Sequence, residues 1–337
     1  MTTQRPRIAL LAAPETTPSV LFGLYDVLIS VGAVYPDMVG GQLGEPLLDV
    51  QIVAAEAQPF RCFGNILIEP HAAIGNLSEV DAVIVCDLYT PIDKAPHGRY
   101  GPEIAWLLRM HAQGALVASV CSGSLVLAEA GLLDGRSCAG HWAYRELFRR
   151  RYPKVDYCAD SILRLDSEAQ GVVTAGGVTA WQDLALHLIS RFCGPEHALQ
   201  TAKVYLLSGH EDGQLPFADR GLQIQDEDHA IKRCQQWIAE HFAQVNPVEA
   251  MTRHAGLTRR TFTRRFRAAT GYLPMDYVHA LRIERAKRII EARLPAGLDD
   301  VANEVGYEDP SFFRRLFKRE VGLTPAAYRK KFSSLLG

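Results

Sequence analysis

Short apolar runs alternate with stretches of helical period over the first two hundred residues. The apolar runs are 7–13, 48–54, 81–86, 115–120 and 172–175. The stretches of helical period are 18–33, 101–112, 122–132, 142–151, 180–192 and 195–208. This alternation predicts a flavodoxin-like α/β domain, in which helices cover a mostly parallel sheet. A short hairpin is predicted over 61–70.

Segments rich in glycine, proline and acidic residues mark the predicted loops. Two of them, 35–47 and 88–100, lie inside the α/β region. A third, 209–227, has no hydrophobic period and separates the α/β region from a helical one. We therefore predict an α/β domain over 1–209, a linker over 210–227 and an all-helical domain over 228–337.

One frame of residues occurs twice in the helical region. Its copies read Phe262-x3-Phe266-x4-Gly271-x2-Pro274-x2-Tyr277 and Phe313-x3-Phe317-x4-Gly322-x2-Pro325-x2-Tyr328. Each copy predicts a helix that ends at glycine, followed by a helix that begins at proline. The two Phe residues of a copy lie at i and i+4, so we expect both on the buried face.

A short helix and a tight turn precede each copy of the frame. These helices are predicted over 248–254 and 298–304, and a glycine-containing turn follows each. Thr258 and Asp309 are suitable N-caps for the helices that come next. A helix, a turn with glycine and a capped helix together are typical of a helix-turn-helix motif. The duplication predicts two such motifs joined by a connecting helix.

Charge separates the same two regions. The 337 residues carry a net charge of −2, but residues 1–229 hold 16 basic and 27 acidic residues, whereas residues 230–337 hold 20 and 11. An acidic domain joined to a basic one indicates that only the basic end meets a polyanion.

The composition indicates in which cellular compartment the protein works. No apolar run approaches the length of a membrane span, and no export signal is visible. Seven cysteines without framework spacing favour a reduced, cytoplasmic location. We predict no metal and no cofactor.

Six side chains are predicted to face double-stranded DNA. They lie away from the buried Phe pairs, on helices whose cationic and hydrogen-bonding tips suit DNA recognition. They are Arg260, Thr263 and Arg264 in the first motif and Ser311, Phe312 and Arg315 in the second. A lone basic helix is often only a solvated surface, and the duplicated frame is what favours the DNA interpretation.

Residues 230–332 resemble the two-fold helix-turn-helix domain of the AraC/XylS transcription regulators. The resemblance is carried by Arg264-Arg265-Phe266, Gly271, Arg282-Ile283-Glu284-Arg285-Ala286, 301–307, 313–318 and 322–329. This sequence departs from the family pattern at Met251-Thr252, where the family usually has Leu-Ala. Thr is small enough to take the place of Ala in the first supporting helix. The resemblance implies DNA as a partner and, with it, RNA polymerase.

A turn of small residues, 118–124, joins a predicted strand to a predicted helix with Cys121 at its tip. Such a turn resembles a strained nucleophile elbow, and a helix N-terminus favours the thiolate. His141 follows twenty residues later, so the pair offers what a Cys–His nucleophile needs. The alternative is that Cys121 packs the turn and His141 is satisfied locally.

Three stretches, 117–133, 135–142 and 173–180, carry a second resemblance. Through them residues 7–195, and most strongly 115–192, resemble the ThiJ/PfpI members of the class I glutamine-amidotransferase-like superfamily. Those that carry an AraC-type domain look like ligand-responsive regulators, several of them of amine or amino-acid catabolism. Two departures weigh against acyl transfer. The usual acid of the first helix is replaced by Thr17-Pro18-Ser19-Val20, with Glu15 a few residues early, and the usual Gly-rich turn reads Cys86-Asp87-Leu88-Tyr89.

We therefore expect an effector pocket without catalysis, in which Cys121 and His141 are degenerate catalytic residues. Its predicted lining is Cys121, Ser122, His141, Glu15 and Asp87. Backbone donors at the helix start would hold an anionic group, and Asp87, Glu15 or an aromatic such as Tyr89 or Trp142 would face a cationic one.

The leading hypothesis is a homodimeric, sequence-specific transcription regulator that senses an amine or amino-acid-related metabolite and is not an enzyme. Two alternatives stay open. One is an amidase-like or isonitrile-hydratase-like enzyme that uses Cys121. The other is a regulator that senses oxidants through Cys121.

Overall fold

The computed structural model describes residues 5–167, 171–219, 228–292 and 297–333, which belong to two compact units, 1–214 and 215–337. Of the predicted linker, residues 210–214 belong to the first unit and 215–219 to the second, and 220–227 lie outside the described residues. The predicted linker boundaries stay predictions. None of the described helices combines the length and apolar character that crossing a bilayer requires.

A seven-stranded sheet forms the centre of the first unit. The strands of this unit are β1 (Arg7–Leu11), β2 (Asp49–Ala54), β3 (Phe60–Arg61), β4 (Leu67–Ile68), β5 (Ala72–Ala73), β6 (Ala82–Val85), β7 (Leu116–Val120), β8 (Ser137–Cys138), β9 (Asp156–Tyr157), β10 (Leu163–Ser167) and β11 (Val172–Ala175). The sheet order is β10-β11-β7-β6-β1-β2-β5, and only the β10–β11 pairing is antiparallel. The predicted mostly parallel sheet is confirmed. β3 and β4 form the predicted hairpin.

Helices cover both faces of this sheet. They are α1 (Pro18–Ile29), α2 (Val34–Met38), α3 (Gly101–Ala112), α4 (Gly123–Glu129), α5 (Arg145–Arg151), α6 (Trp181–Cys193) and α7 (Pro195–Tyr205). Successive residues of β1 point to opposite faces, so Ile8 and Leu10 enter one core and Ala9 and Leu11 the other. α2 corrects the predicted loop over 35–47. Pro36 lies in its first turn, where the missing N–H needs no partner.

The second unit is helical, as predicted. Its helices are α8 (His229–His241), α9 (Pro247–Ala255), α10 (Arg259–Thr270), α11 (Pro274–Ala292), α12 (Leu298–Glu304), α13 (Pro310–Val321) and α14 (Pro325–Ser333). The side chains of Thr258 and Asp309 cap α10 and α13 by accepting hydrogen bonds from Thr261 N and Ser311 N. Both predicted helix-turn-helix motifs are therefore present, as α9–α10 and α12–α13.

Each motif has its own hydrophobic core, and α11 belongs to both. Phe262, Phe266 and the start of α11 lie in the first core, with α8 and α9. Phe313, Phe317 and the rest of α11 lie in the second, with α12 and α14. All four Phe side chains are fully buried, which confirms the i, i+4 pattern. A single helix thus couples the two motifs.

Arg282 closes the junction between the two motifs. Only 5% of this residue is exposed, and it lies on α11 where one core gives way to the other. Its guanidinium donates hydrogen bonds to the carbonyl oxygens of Phe242 at 2.7 Å, Gln244 at 3.0 Å and Gly306 at 2.8 Å. It also stands 5.0 Å from the centre of the Tyr307 ring. One side chain therefore ties the chain after α8 to the turn of the second motif.

Gly306 allows the turn of the second motif to approach the backbone of Ala243 closely. Its φ of +85° lies in the left-handed region, and an added Cβ would come within 2.7 Å of Ala243 Cα and Ala243 O. A side chain at this position would be strained and would also push the two backbones apart.

Replacing Arg282 by Met should lower the stability of the second unit by about 3 kcal/mol, because three carbonyl groups lose a charged donor. Arg285, exposed on the same helix, is the matched control, and Arg285→Met should change stability by less than about 0.5 kcal/mol. Amide hydrogen exchange on peptides of the second unit measures both variants. Equal protection in the two variants would contradict the assigned role of Arg282.

Candidate functional site

The six predicted DNA-facing residues lie on the outer surfaces of α10 and α13. Arg260 and Arg264 are exposed on α10, and Thr263 between them is half-buried. Ser311, Phe312 and Arg315 are exposed on α13, although Phe312 is an aromatic. The inner surfaces of both helices are occupied by the buried Phe pairs. We call α10 and α13, the second helices of the two motifs, the recognition helices; the six predicted residues lie away from their buried faces.

The two recognition helices differ in how their charges are held. Within the described residues, no ion pair engages Arg260, Arg264 or Arg315. By contrast, Arg265 holds the N-cap of α8 through Asp228, at 2.7 and 2.9 Å. On α13, Arg314 pairs with Asp299, and Arg319 pairs with Glu320 at 2.7 Å. α13 consequently has fewer uncommitted cations than α10.

In the first unit, the turn after β7 has the shape of the predicted elbow. Cys121 has a φ of +55°, which is uncommon for a residue with a side chain. Its N–H donates to Ala175 O at 3.0 Å, and Ser124 Oγ donates to its carbonyl oxygen at 2.8 Å. Gly123, two residues later, leaves no room for a Cβ against Val85 O. These contacts hold the turn at the carboxyl end of β7.

Asp87 is the centre of the hydrogen-bond network at this elbow. It is 6% exposed and follows β6, the strand beside β7. Its carboxylate accepts from Thr17 Oγ1 at 2.6 Å, Ser122 Oγ at 2.8 Å and Ser122 N at 3.3 Å. The Ser122 N–H was expected to hold an anionic group of the effector. A carboxylate of the protein itself occupies that position.

The surroundings of Cys121 oppose the thiolate that a helix N-terminus would favour. Only 4% of Cys121 is exposed, and burial, together with the charge of Asp87, holds the pKa of its thiol well above the usual value. α4 begins beyond it, but the favourable end of so short a helix is outweighed by desolvation. Cys121 is therefore a thiol at neutral pH and a weak nucleophile.

His141 is not set up as a base for Cys121. Burial lowers the pKa of His141, and the nearby Asp87 offsets part of that effect. Its Nδ1 accepts a hydrogen bond from Ala143 N at 3.2 Å, so it caps the short helical turn that follows. Among the described residues, no hydrogen bond joins His141 to Cys121. The imidazole is thus neutral and satisfied locally.

Glu15 lies beside this network, but its carboxylate contacts other residues. Its carbonyl accepts from Tyr89 N at 2.7 Å, so its backbone runs next to the Asp87 loop. Its side chain pairs with Arg99 and accepts from Tyr100 OH at 2.9 Å. Among the predicted effector residues, Cys121, Ser122 and Asp87 form one cluster, while Glu15 and His141 have other partners.

Sequence reasoning missed several polar residues of this region. Tyr144 is buried and donates to Thr90 O at 2.9 Å, and burial raises the pKa of Tyr144 to about 12. Gln214 is buried and donates to Gly140 O and Ser161 O, at 2.9 and 2.8 Å. No local motif marks either residue.

A second hydrogen-bonded chain also went unpredicted. His210 Nδ1 lies 2.6 Å from Asp183, and its Nε2 lies 3.1 Å from Thr179 Oγ1. His210 N also donates to Asp183, at 3.2 Å. These contacts fasten residues that were assigned to the predicted linker onto the start of α6.

Two family models match this chain in separate regions. Residues 19–191 match the model of the DJ-1/PfpI family, and residues 251–331 match that of a helix-turn-helix domain. The chain belongs to the DJ-1/PfpI family. This family member also carries an AraC-type helix-turn-helix domain, so the predicted combination of two families is confirmed.

Named relatives of this DJ-1/PfpI family member share both regions. The HTH-type transcriptional regulator CdhR of Pseudomonas aeruginosa is 25% identical over 309 residues, 90% of this chain and 88% of its own. The HTH-type transcriptional regulator ArgR of the same species is 26% identical over 336 residues, 98% and 95% of the two chains. A crystallised protein from Vibrio parahaemolyticus, 16% identical, covers 61% of this chain and 100% of its own with a TM-score of 0.50. That last likeness shows the fold alone.

Cys121 should resist thiol reagents at neutral pH, because it is buried and protonated. Cys158, which is half-exposed, is the internal control and should be alkylated by iodoacetamide first. The protection of Cys121 should persist beyond about pH 8.5, where free cysteine becomes thiolate. Mass spectrometry of tryptic peptides measures both sites. Faster labelling of Cys121 would contradict the raised pKa and favour the oxidant-sensing alternative.

Proposed function

We propose that this protein is a sequence-specific DNA-binding transcription regulator whose DJ-1/PfpI unit senses an amine or amino-acid-related metabolite. The observation that carries the proposal is the pair of capped recognition helices, each seated on its own core and joined by α11. A helix that buries one face and presents cationic tips on the other suits the major groove. Relatives named as transcriptional regulators over nearly the whole chain support it.

The proposal includes a cellular context. A regulator of this kind works in the cytoplasm as a homodimer and meets RNA polymerase at its promoter. The proposed DNA contacts are Arg260, Thr263, Arg264, Ser311, Phe312 and Arg315. The uncommitted arginines among them support phosphate or guanine contacts, since a guanidinium held in an ion pair is less available to DNA.

Alanine at each of the six proposed contacts should weaken operator binding, by about 1–3 kcal/mol where a side chain reads a base. Arg288→Ala is the matched control, because Arg288 is an exposed arginine of the same unit that pairs with Asp219 at 3.5 Å and lies on neither recognition helix. Fluorescence anisotropy at fixed salt measures the affinities. The arginine variants should also flatten the dependence of affinity on salt. Full affinity in all six variants would overturn the proposed interface.

The effector assignment rests on Asp87. Its buried carboxylate is held by hydroxyl and amide donors, and within the described residues it has no cationic partner in an ion pair. A buried carboxylate without a counter-charge is costly, so a cationic group has a strong electrostatic reason to bind there. Trp142, whose ring packs on His141, and Tyr89, two residues after Asp87, are the aromatics proposed to add cation–π attraction. An amine or amino acid meets these requirements.

We infer that the unit binds its effector without converting it. A protonated Cys121 and a His141 engaged by its own backbone lack the activation that nucleophilic catalysis needs. Cys121, Ser122, His141 and Glu15 remain the proposed surroundings of the bound metabolite.

A ligand found in a thermal-shift screen of amines and amino acids should stabilise the parent protein by about 2.7 kcal/mol at a hundred times its Kd. Asp87→Asn should fold but lose that stabilisation. Asp134→Asn, at an exposed carboxylate paired with Lys154, should keep it. Equal stabilisation of all three proteins would place the pocket elsewhere. Consumption of the ligand by the parent but not by Cys121→Ser would favour the enzyme alternative.

A further inference from the structure

The two recognition helices differ in polarity at one pair of matching positions in their first turns. Thr261 of α10 occupies the place that Phe312 takes in α13, because the repeated frame is offset by 51 residues. Thr261 is half-buried and hydrogen-bonded to Thr258, at 3.0 Å between the two hydroxyl oxygens. Phe312 has no polar group and leaves 41% of its surface exposed. The repeat therefore places an apolar ring where the first motif has a hydroxyl.

The Phe312 ring does not belong to the core beneath it. Its neighbours Phe313 and Phe317 are fully buried and fill the second core. Phe312 instead lies in the first turn of α13, one residue after Ser311. The first turn of a recognition helix is the part that contacts base edges in helix-turn-helix complexes.

The Phe312 ring packs against two other aromatic side chains. The ring centre of Phe312 lies 5.9 Å from that of His279 and 5.8 Å from that of Tyr307. These two residues are stacked and joined by a 2.8 Å hydrogen bond between His279 Nδ1 and Tyr307 OH. The Arg282 guanidinium also lies over the Tyr307 ring, 5.0 Å from its centre. We call His279, Tyr307 and Phe312 the aromatic platform.

A supported ring can bind with little loss of freedom. A free aromatic side chain gives up rotamer entropy when a ligand fixes it, but one that is already packed on two rings gives up less. Its exposed face is apolar, so the favourable partner is an apolar group. α13 also has fewer uncommitted cations than α10, because Arg314 and Arg319 are paired. Beside the Ser311 hydroxyl and the uncommitted Arg315, Phe312 therefore gives this helix an apolar contact as well.

We propose that Phe312 is a specificity-determining residue that recognises the C5-methyl group of a thymine in the major groove. This inference rests on the proposed function. Thymine is the only standard base that presents a methyl group in that groove, and phenylalanine is among the side chains that contact it. His279 and Tyr307 are positioning residues, since they act on the base only through the Phe312 ring.

The test compares thymine with deoxyuridine, which lacks only the methyl group. A duplex is selected by the full-length parent protein from a random-sequence pool, and each thymine is then replaced singly. At one position, the parent should lose about fourfold in affinity, as expected for one buried methyl group. Phe312→Ala should bind the unmodified duplex more weakly and show no further loss at that position. Phe312→Leu, which restores an apolar side chain, should recover part of the discrimination.

Thr261→Ala is the control in the matching position of the first motif, and it should leave the uracil response at that position unchanged. The inference is overturned if no uracil substitution weakens the parent, or if Phe312→Ala and the parent lose the same factor. A parent protein that selects no duplex from the pool would instead overturn the proposed function. Circular dichroism checks that each variant is folded. If Phe312→Ala does not fold, the comparison of Phe312→Leu with the parent still tests the inference.

Discussion

The second unit depends on one guanidinium group. Two helix-turn-helix motifs with separate cores would be free to shift against each other if only α11 joined them. Arg282 prevents this, because it donates to carbonyl oxygens on both sides of the boundary and is itself almost fully buried. Its charge is tolerable there only because those carbonyl groups and the Tyr307 ring replace water. Arg282 also contacts Tyr307 of the aromatic platform. The stability of the junction and the position of the platform therefore both depend on this side chain.

The sequence predicted what depends on local periodicity. The parallel strands, the hairpin, both capped recognition helices and the buried Phe262–Phe266 and Phe313–Phe317 pairs all follow from spacing within a few residues. Arg282 was recognised as part of a family motif, but its three acceptors lie 24 to 40 residues away along the chain. Nothing in the local sequence specifies those partners.

The candidate effector site shows the limit of sequence reasoning more clearly. The elbow at Cys121 was predictable, because small residues and a strand-to-helix transition are local. The raised pKa of the Cys121 thiol was not predictable, because it depends first on the burial of Cys121 in the fold and then on Asp87, which follows the neighbouring strand. That carboxylate also occupies the backbone donor of Ser122. A turn that resembles a catalytic one thus contains a buried thiol with a raised pKa beside the Asp87 carboxylate.

Gly306 fixes the spacing between the two helix-turn-helix motifs. With no side chain at this position, the turn of the second motif lies directly on the backbone of Ala243. Successive major grooves on one face of B-DNA repeat about every 10.5 base pairs, so one inserted base pair rotates a half-site by about 34°. Because these two backbones are in contact, we expect the junction to resist that rotation. An operator with every recognised base intact but the wrong helical phase should then bind more weakly.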